Sequence, residues 1–247
     1  MLKRITITSA AGLFLIILSL SIHAQKDVTV PSSATSVSLY KRGMALYASG
    51  SYGEAAVVFK EAVRLNPDDS LSYNSLGLTY FALSQYDKAA KAFNKAIDLR
   101  RDLVGAESWY KLGVAYTKLN QNGEAIEALE QATYIIRAQG IIDKGTKRQE
   151  YKRVLAEIHN SLGVAYFNEK RYHEAVEAYQ QAINLDSNLA VAHYSLGITY
   201  CALKEIGEAE KQHKILKTLD VDLAKKLANR INILRSWPTR NFSSGNP

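Results

Sequence analysis

The chain has 247 residues, enough for one or two domains with a large core. Its 47% hydrophobic and 22% charged residues, with four prolines and fourteen glycines, exclude a disordered, collagen-like or low-complexity chain. A single cysteine, Cys201, excludes an intrachain disulfide, a CxxC redox pair, a cysteine-rich zinc site and a haem CxxCH motif, and the net charge of +7 favours acidic partners while staying far from that of a nucleic-acid-packing protein.

The first predicted element is an address. Lys3 and Arg4 form a short positive start, the segment AGLFLIILSL over 11–20 is apolar, and Ile22-His23-Ala24 offers a peptidase cut before Gln25. This layout predicts a secretory signal peptide over 1–24 and an exported protein, periplasmic or secreted. The alternative is a single N-terminal membrane anchor, because Ile5–Ile22 is uncharged throughout and of minimal spanning length. Membrane contact is expected only if that segment stays uncleaved. No cysteine follows the run, which excludes a lipoprotein anchor. Residues 25–35 read as a polar linker.

Next comes a repeating string. Leu-Gly-x-x-Tyr occurs at Leu76-Gly77…Tyr80, Leu112-Gly113…Tyr116, Leu162-Gly163…Tyr166 and Leu196-Gly197…Tyr200, with a degenerate copy at Gly43 and Leu46. Alanine follows at a fixed distance: Ala55, Ala89, Ala125, Ala175 and Ala209. A large residue then falls in register at Phe59, Phe93, Leu129 and Tyr179, where the last copy has His213. Within one copy, Tyr73, Leu76, Gly77 and Tyr80 share one helical face, and Ala89, Phe93, Ala96 and Ile97 share another. Turn-rich strings such as Ala48-Ser49-Gly50-Ser51 and Asn120-Gln121-Asn122-Gly123 separate the two helices. Each copy is therefore a helix-turn-helix that cannot bury its apolar face alone, and the copies must stack.

In this register the chain resembles the tetratricopeptide repeat (TPR) family over roughly residues 36–221. The resemblance implies an all-α fold, an α-solenoid of about five TPR helix-turn-helix units near 36–69, 70–103, 106–139, 156–189 and 190–221. The step from Gly113 to Gly163 is longer than the others, so a helical hairpin is inserted near 138–155, rich in basic residues between Arg137 and Arg153. Leu223, Leu227, Ile231 and Leu234 then form one stripe, which predicts a C-terminal capping helix over 222–236. Residues 237–247 read as a loose tail.

A second stripe on the first helices is not used by stacking. It runs Tyr40, Met44, Tyr47; Asn74, Leu78, Phe81; Tyr110, Val114, Thr117; Asn160, Val164, Phe167; and Tyr194, Ile198, Cys201. In the family the first helices line a concave surface, so the resemblance implies a protein-binding groove built from these residues. Aromatic side chains supply anchoring area, and the amides of Asn74 and Asn160 both donate and accept towards a peptide backbone. The family's carboxylate clamp is absent. Tyr40, Met44, Ser75 and Glu107 stand at four clamp places, and only Lys111 fits, so a terminal Glu-Glu-Val-Asp ligand is not implied.

Catalytic and metal chemistry are declined. His159 and His193 take the bulky place that Tyr73 and Trp109 hold in other copies, and nothing at ligand spacing completes a metal set. No GxSxG, P-loop or HExxH string occurs, and no nucleophile is paired with a base. The expectation is a non-catalytic protein–protein interaction scaffold without cofactors. It would hold a peptide or helical segment of a partner protein in the groove, in cell-envelope or secretion assembly. The alternative is nucleic-acid or acidic-partner binding through the basic hairpin and C-terminal helix, although an export signal argues against nucleic acid.

Overall fold

The computed structural model describes residues 35–142 and 148–236. The expected signal segment, nearly all of the linker, the turn of the inserted hairpin and the tail lie outside the described residues. The described chain is all-α. Its helices are α1 Ser36–Ala48, α2 Tyr52–Leu65, α3 Ser70–Ala82, α4 Tyr86–Arg100, α5 Ala106–Lys118, α6 Asn122–Ile142, α7 Arg148–Asn168, α8 Tyr172–Leu185, α9 Ala190–Ala202, α10 Ile206–Leu219 and α11 Val221–Ser236. A 3-10 turn over Arg101–Leu103 follows α4. The chain forms two compact bodies that divide after Asp68.

The first body holds one helix pair, α1 and α2. Thr35 opens α1 with a capping box: its hydroxyl accepts from the Ser38 amide at 3.2 Å, and its own amide donates to Ser38 Oγ at 3.0 Å. Leu39, Val58 and Ala62 form the buried core of this pair, with Leu46 packed against it.

The second body begins at Asp69, whose carboxylate accepts from the amides of Leu71 and Ser72 and so caps α3. From there helices alternate. The first helices of successive repeats, α3, α5, α7 and α9, touch in chain order, and α11 continues the row by packing on α9. Helices α6 and α7 are each 21 residues long, against 13 to 15 for α3, α4, α5, α8, α9 and α10.

The repeat glycine explains why the two helices of a pair sit so close. A Cβ added to Gly77 would lie 2.6 Å from the Phe93 ring, so only glycine leaves room for that side chain. Gly43 and Phe59, Gly113 and Leu129, and Gly163 and Tyr179 repeat the contact. Phe59, Phe93 and Leu129 are fully buried and Tyr179 nearly so, each worth roughly 2–3 kcal/mol of transfer free energy. Gly197 differs. Its close neighbour is Leu227 of α11, at 2.5 Å from the added Cβ, while His213 stays half-buried.

Every turn inside a repeat is built alike. The residue after the cap adopts a left-handed backbone: Gly50 (φ 79°), Ser84 (56°), Asn120 (59°), Lys170 (59°) and Lys204 (63°). The next amide reaches back to the first helix, as Gln85 does to the Tyr80 carbonyl at 2.9 Å. This is the Schellman closure, which satisfies helix-end carbonyls that would otherwise be orphaned.

Candidate functional site

The candidate groove is described within the second body, on α3, α5, α7 and α9. Its residues stand three before, one after and four after each repeat glycine, which places them on one face of a helix. Asn74, Leu78, Phe81, Tyr110, Val114, Asn160, Val164, Phe167, Tyr194 and Ile198 are all half-buried. Each is thus partly covered by its neighbours and partly open to solvent. Leu78, Phe81 and Tyr110 lean on the core of the second to fourth repeats. Val164, Phe167, Tyr194 and Ile198 lean on that of the fourth, fifth and capping helices.

Tyr40, Met44 and Tyr47 hold the same register on α1 of the first body. Met44 is exposed, while Tyr40 and Tyr47 are half-buried, Tyr40 against Phe59 and Tyr47 edge-on to Tyr52 with centroids 5.2 Å apart. The edge contact recurs in the second body between Phe81 and Tyr86 at 5.6 Å. Phe167 and Tyr172 make a tilted version of it at 5.3 Å. These rings are held by the next helix and need little ordering on binding.

The place three before the glycine alternates in the second body: Asn74, Tyr110, Asn160, Tyr194. The two asparagines share an unusual state. Oδ1 of Asn74 and Oδ1 of Asn160 are shielded from solvent and have no hydrogen-bond partner among the described residues. An unmet buried carbonyl costs about 1–3 kcal/mol. Turning the amide about its terminal bond exchanges oxygen and NH2 and presents either to an incoming backbone group. Tyr110 is the opposite case. Its hydroxyl is hydrogen-bonded to Ser161 of α7, and burial pushes it above the ordinary tyrosine range while that bond pulls it down. It spans two repeats and is a floor strut as much as an anchor, which its sequence position alone does not reveal. Lys111 adds a cation 4.9 Å from the Phe81 centroid and 3.7 Å from Glu107.

Two members of the stripe behave differently from the rest. Cys201 is buried, so it does not line an open groove, and burial pushes its thiol above the usual range while Arg230 opposes that shift. Thr117 returns its hydroxyl to the Gly113 carbonyl at 3.0 Å.

His159 and His193 are packed. His193 places Nε2 3.1 Å from the Ser187 carbonyl and Nδ1 2.8 Å from Gln212 Oε1. His159 is buried, and that burial, with Arg137 beside it, pushes its pKa down to about 4. Among the described residues, no group of three or more His, Cys, Asp and Glu is placed to hold a metal ion.

The repeat glycine, its filler from the paired helix and the shared turn recur along the chain, and family models agree. A tetratricopeptide repeat model matches residues 40–103 and 76–141, and a TPR repeat model matches 165–204. The chain belongs to the tetratricopeptide repeat family. TPR proteins are non-catalytic interaction scaffolds, and this TPR chain is a protein-interaction scaffold by the same architecture. No curated protein matches it by sequence. Among solved structures it is similar to YrrB, described as a TPR protein with an unusual peptide-binding site. The TM-score is 0.65 at 20% identity, over 85% of this chain and 97% of that one. It is also similar to MamA, with TM-score 0.57 at 23% identity over 76% and 96% of the two chains. MamA from Desulfovibrio magneticus RS-1 gives 0.61 at 21% over 79% and 98%. At these identities the likeness speaks for the TPR fold alone.

Proposed function

We propose that this TPR protein holds a peptide or helical segment of a partner protein against α3, α5, α7 and α9. The observation that carries the reading is the pair of orphaned asparagine carbonyls. Asn74 and Asn160 each keep an unmet acceptor inside a face otherwise made of half-buried aromatic and aliphatic side chains. A backbone amide of a bound segment would supply the missing donor and recover the cost of leaving it unmet. On α1 of the first body, Tyr40, Met44 and Tyr47 would offer the same kind of side chains. The peptide-binding site named for YrrB supports the class of ligand.

The protein is placed in the cell envelope or outside the cell, in envelope or secretion assembly. The support is the charged, apolar and small-residue layout of residues 1–24. Among the described residues no helix is long and apolar enough to cross a membrane.

The test is a crosslinked pull-down from envelope extract, run with the parent chain and with a variant changed to Ala at Tyr40, Asn74, Tyr110 and Asn160. Circular dichroism shows whether the variant keeps its helicity. A protein captured by the parent and lost by the still-helical variant supports the groove. Equal capture by both moves the binding surface elsewhere.

A further inference from the structure

A segment lying along the groove can be helical or extended, and the two asparagines distinguish the cases. Oδ1 of Asn74 and of Asn160 is shielded and has no hydrogen-bond partner among the described residues. The third repeat shows how such a place is closed from within. Tyr110, at the equivalent position, is hydrogen-bonded to Ser161, two before the glycine of the next first helix. The residue in that position for Asn74 is Lys111, whose ammonium sits 4.9 Å from the Phe81 centroid and 3.7 Å from Glu107. For Asn160 it is Ser195, which is hydrogen-bonded to Tyr179, the filler of the fourth repeat. The side chain that could have closed each amide is engaged elsewhere, which leaves the acceptor to a donor from outside the array.

A helix is a poor source of that donor. Beyond its terminal turns, its backbone N–H and C=O groups are spent on one another. An extended residue instead points its own N–H and C=O to the same edge of the chain, and the next residue to do so on that edge is two further on. One asparagine amide, with a donor and an acceptor, matches such a pair whichever way it is turned.

Spacing sets the register. Asn74 is on α3 and Asn160 on α7, with α5 packed between those helices. Helices packed at about 8–10 Å put the two amides roughly 16–20 Å apart. An extended chain covers that span in about five or six residues, at about 3.3 Å each. Only the even number returns the backbone to the same edge. The neighbouring side chains set the chemistry. Helix α3 carries no charged residue, and Leu78 and Phe81 follow Asn74 as Val164 and Phe167 follow Asn160 on the same helical face.

We propose, on the reading that this groove holds a partner segment, that the segment is extended. Two of its residues, six apart, pair their backbone N–H and C=O with Asn74 and Asn160, and apolar side chains flank both contacts. Tyr110 lies between the two sites with its hydroxyl tied to Ser161, so the backbone is gripped at every second repeat.

The probes are random linear peptides of about twelve residues displayed on phage and, in parallel, a library displayed on the face of a stable designed helix. Both are selected on the full chain. Linear binders are expected, with aliphatic or aromatic residues beside two positions six apart. A selected peptide is then synthesised with each backbone amide N-methylated in turn, and its affinity is read by fluorescence anisotropy. The two largest losses are expected six residues apart, about tenfold each, the scale of one hydrogen bond withheld from a shielded acceptor. The scan needs no protein variant, so its outcome does not depend on folding. The Asn74→Leu, Asn160→Leu variant, checked for helicity, is expected to lose at least the same factor. Binders from the helical library alone, no linear binders, charged residues beside both contacts, or sensitive amides at another spacing overturn the extended segment. If the still-helical leucine variant loses such binders, the groove itself stands. If it keeps whatever binds the parent, the groove reading falls and this proposal with it.

Discussion

The interior repeats and the end of the array solve one packing problem in two ways. In the second, third and fourth repeats the space over the glycine is filled from within the same helix pair, by Phe93, Leu129 and Tyr179. In the fifth repeat the equivalent residue, His213, stays half-buried, and Leu227 of α11 enters instead. The repeat therefore specifies a filled space and not the residue that fills it. Interior repeats are self-sufficient at this point, whereas the last borrows its core from the cap. A stacked array has an apolar face left over at its end, and α11 covers it with Ala224, Leu227 and Ile231, all buried.

Truncation sharpens that contrast and carries the largest expected effects. Phe93→Ala should cost about 3–5 kcal/mol, because a fully buried ring leaves a cavity beside Gly77. Leu227→Ala should cost about 3–5 kcal/mol as well, although it lies outside the repeats. His213→Ala, at the nominal filler place, should cost less than about 1 kcal/mol. Urea denaturation measures all three. Hydrogen exchange of Leu227→Ala should rise first in α9 to α11, since local stability in a stacked array follows nearest-neighbour contacts. Equal costs for Leu227 and His213 would break the comparison.

Much of this architecture is legible in the sequence, because Gly77, Gly113 and Gly163 and their fillers recur in fixed register. The exchange of His213 for Leu227 is not, because it depends on the angle at which α11 meets α9. The groove divides in the same way. The stripe from Asn74 to Ile198 can be read from helical spacing. The burial of Cys201 and the bond from Tyr110 to Ser161 depend on how closely the next first helix approaches.

Along the groove, repeats with asparagine can be set against those with tyrosine. Asn74→Leu and Asn160→Leu remove an unmet buried carbonyl and keep a similar shape. Each should raise stability by about 1 kcal/mol. Partner capture should fall in the same variants if these amides grip a bound backbone. Tyr110→Phe removes a satisfied hydroxyl and should lower stability by about 1 kcal/mol. Thermal unfolding reads the opposite signs directly. A loss of stability in the leucine variants would mean that the asparagine carbonyls are well satisfied in solution, and the strongest support for the groove would go.

The smallest expected effect sits in the turns, where the first repeat differs from the fourth and fifth. All three turns place one residue in the left-handed region, but Gly50 does so without a Cβ, whereas Lys170 and Lys204 do so with one. The Schellman bonds are the same, from Ser51 to Leu46, Arg171 to Tyr166 and Glu205 to Tyr200, each 2.9 Å. Backbone strain is therefore the main difference. For a residue with a Cβ that conformation costs about 1 kcal/mol, so Lys170→Gly and Lys204→Gly should each stabilise by somewhat less, after the greater entropy of glycine in the unfolded chain. Gly50→Ala should destabilise by about 1 kcal/mol, although nothing lies near its added Cβ. If the two glycine variants instead lose stability, the lysine side chains contribute to the turns more than their exposed positions indicate, and the turns are not interchangeable between repeats.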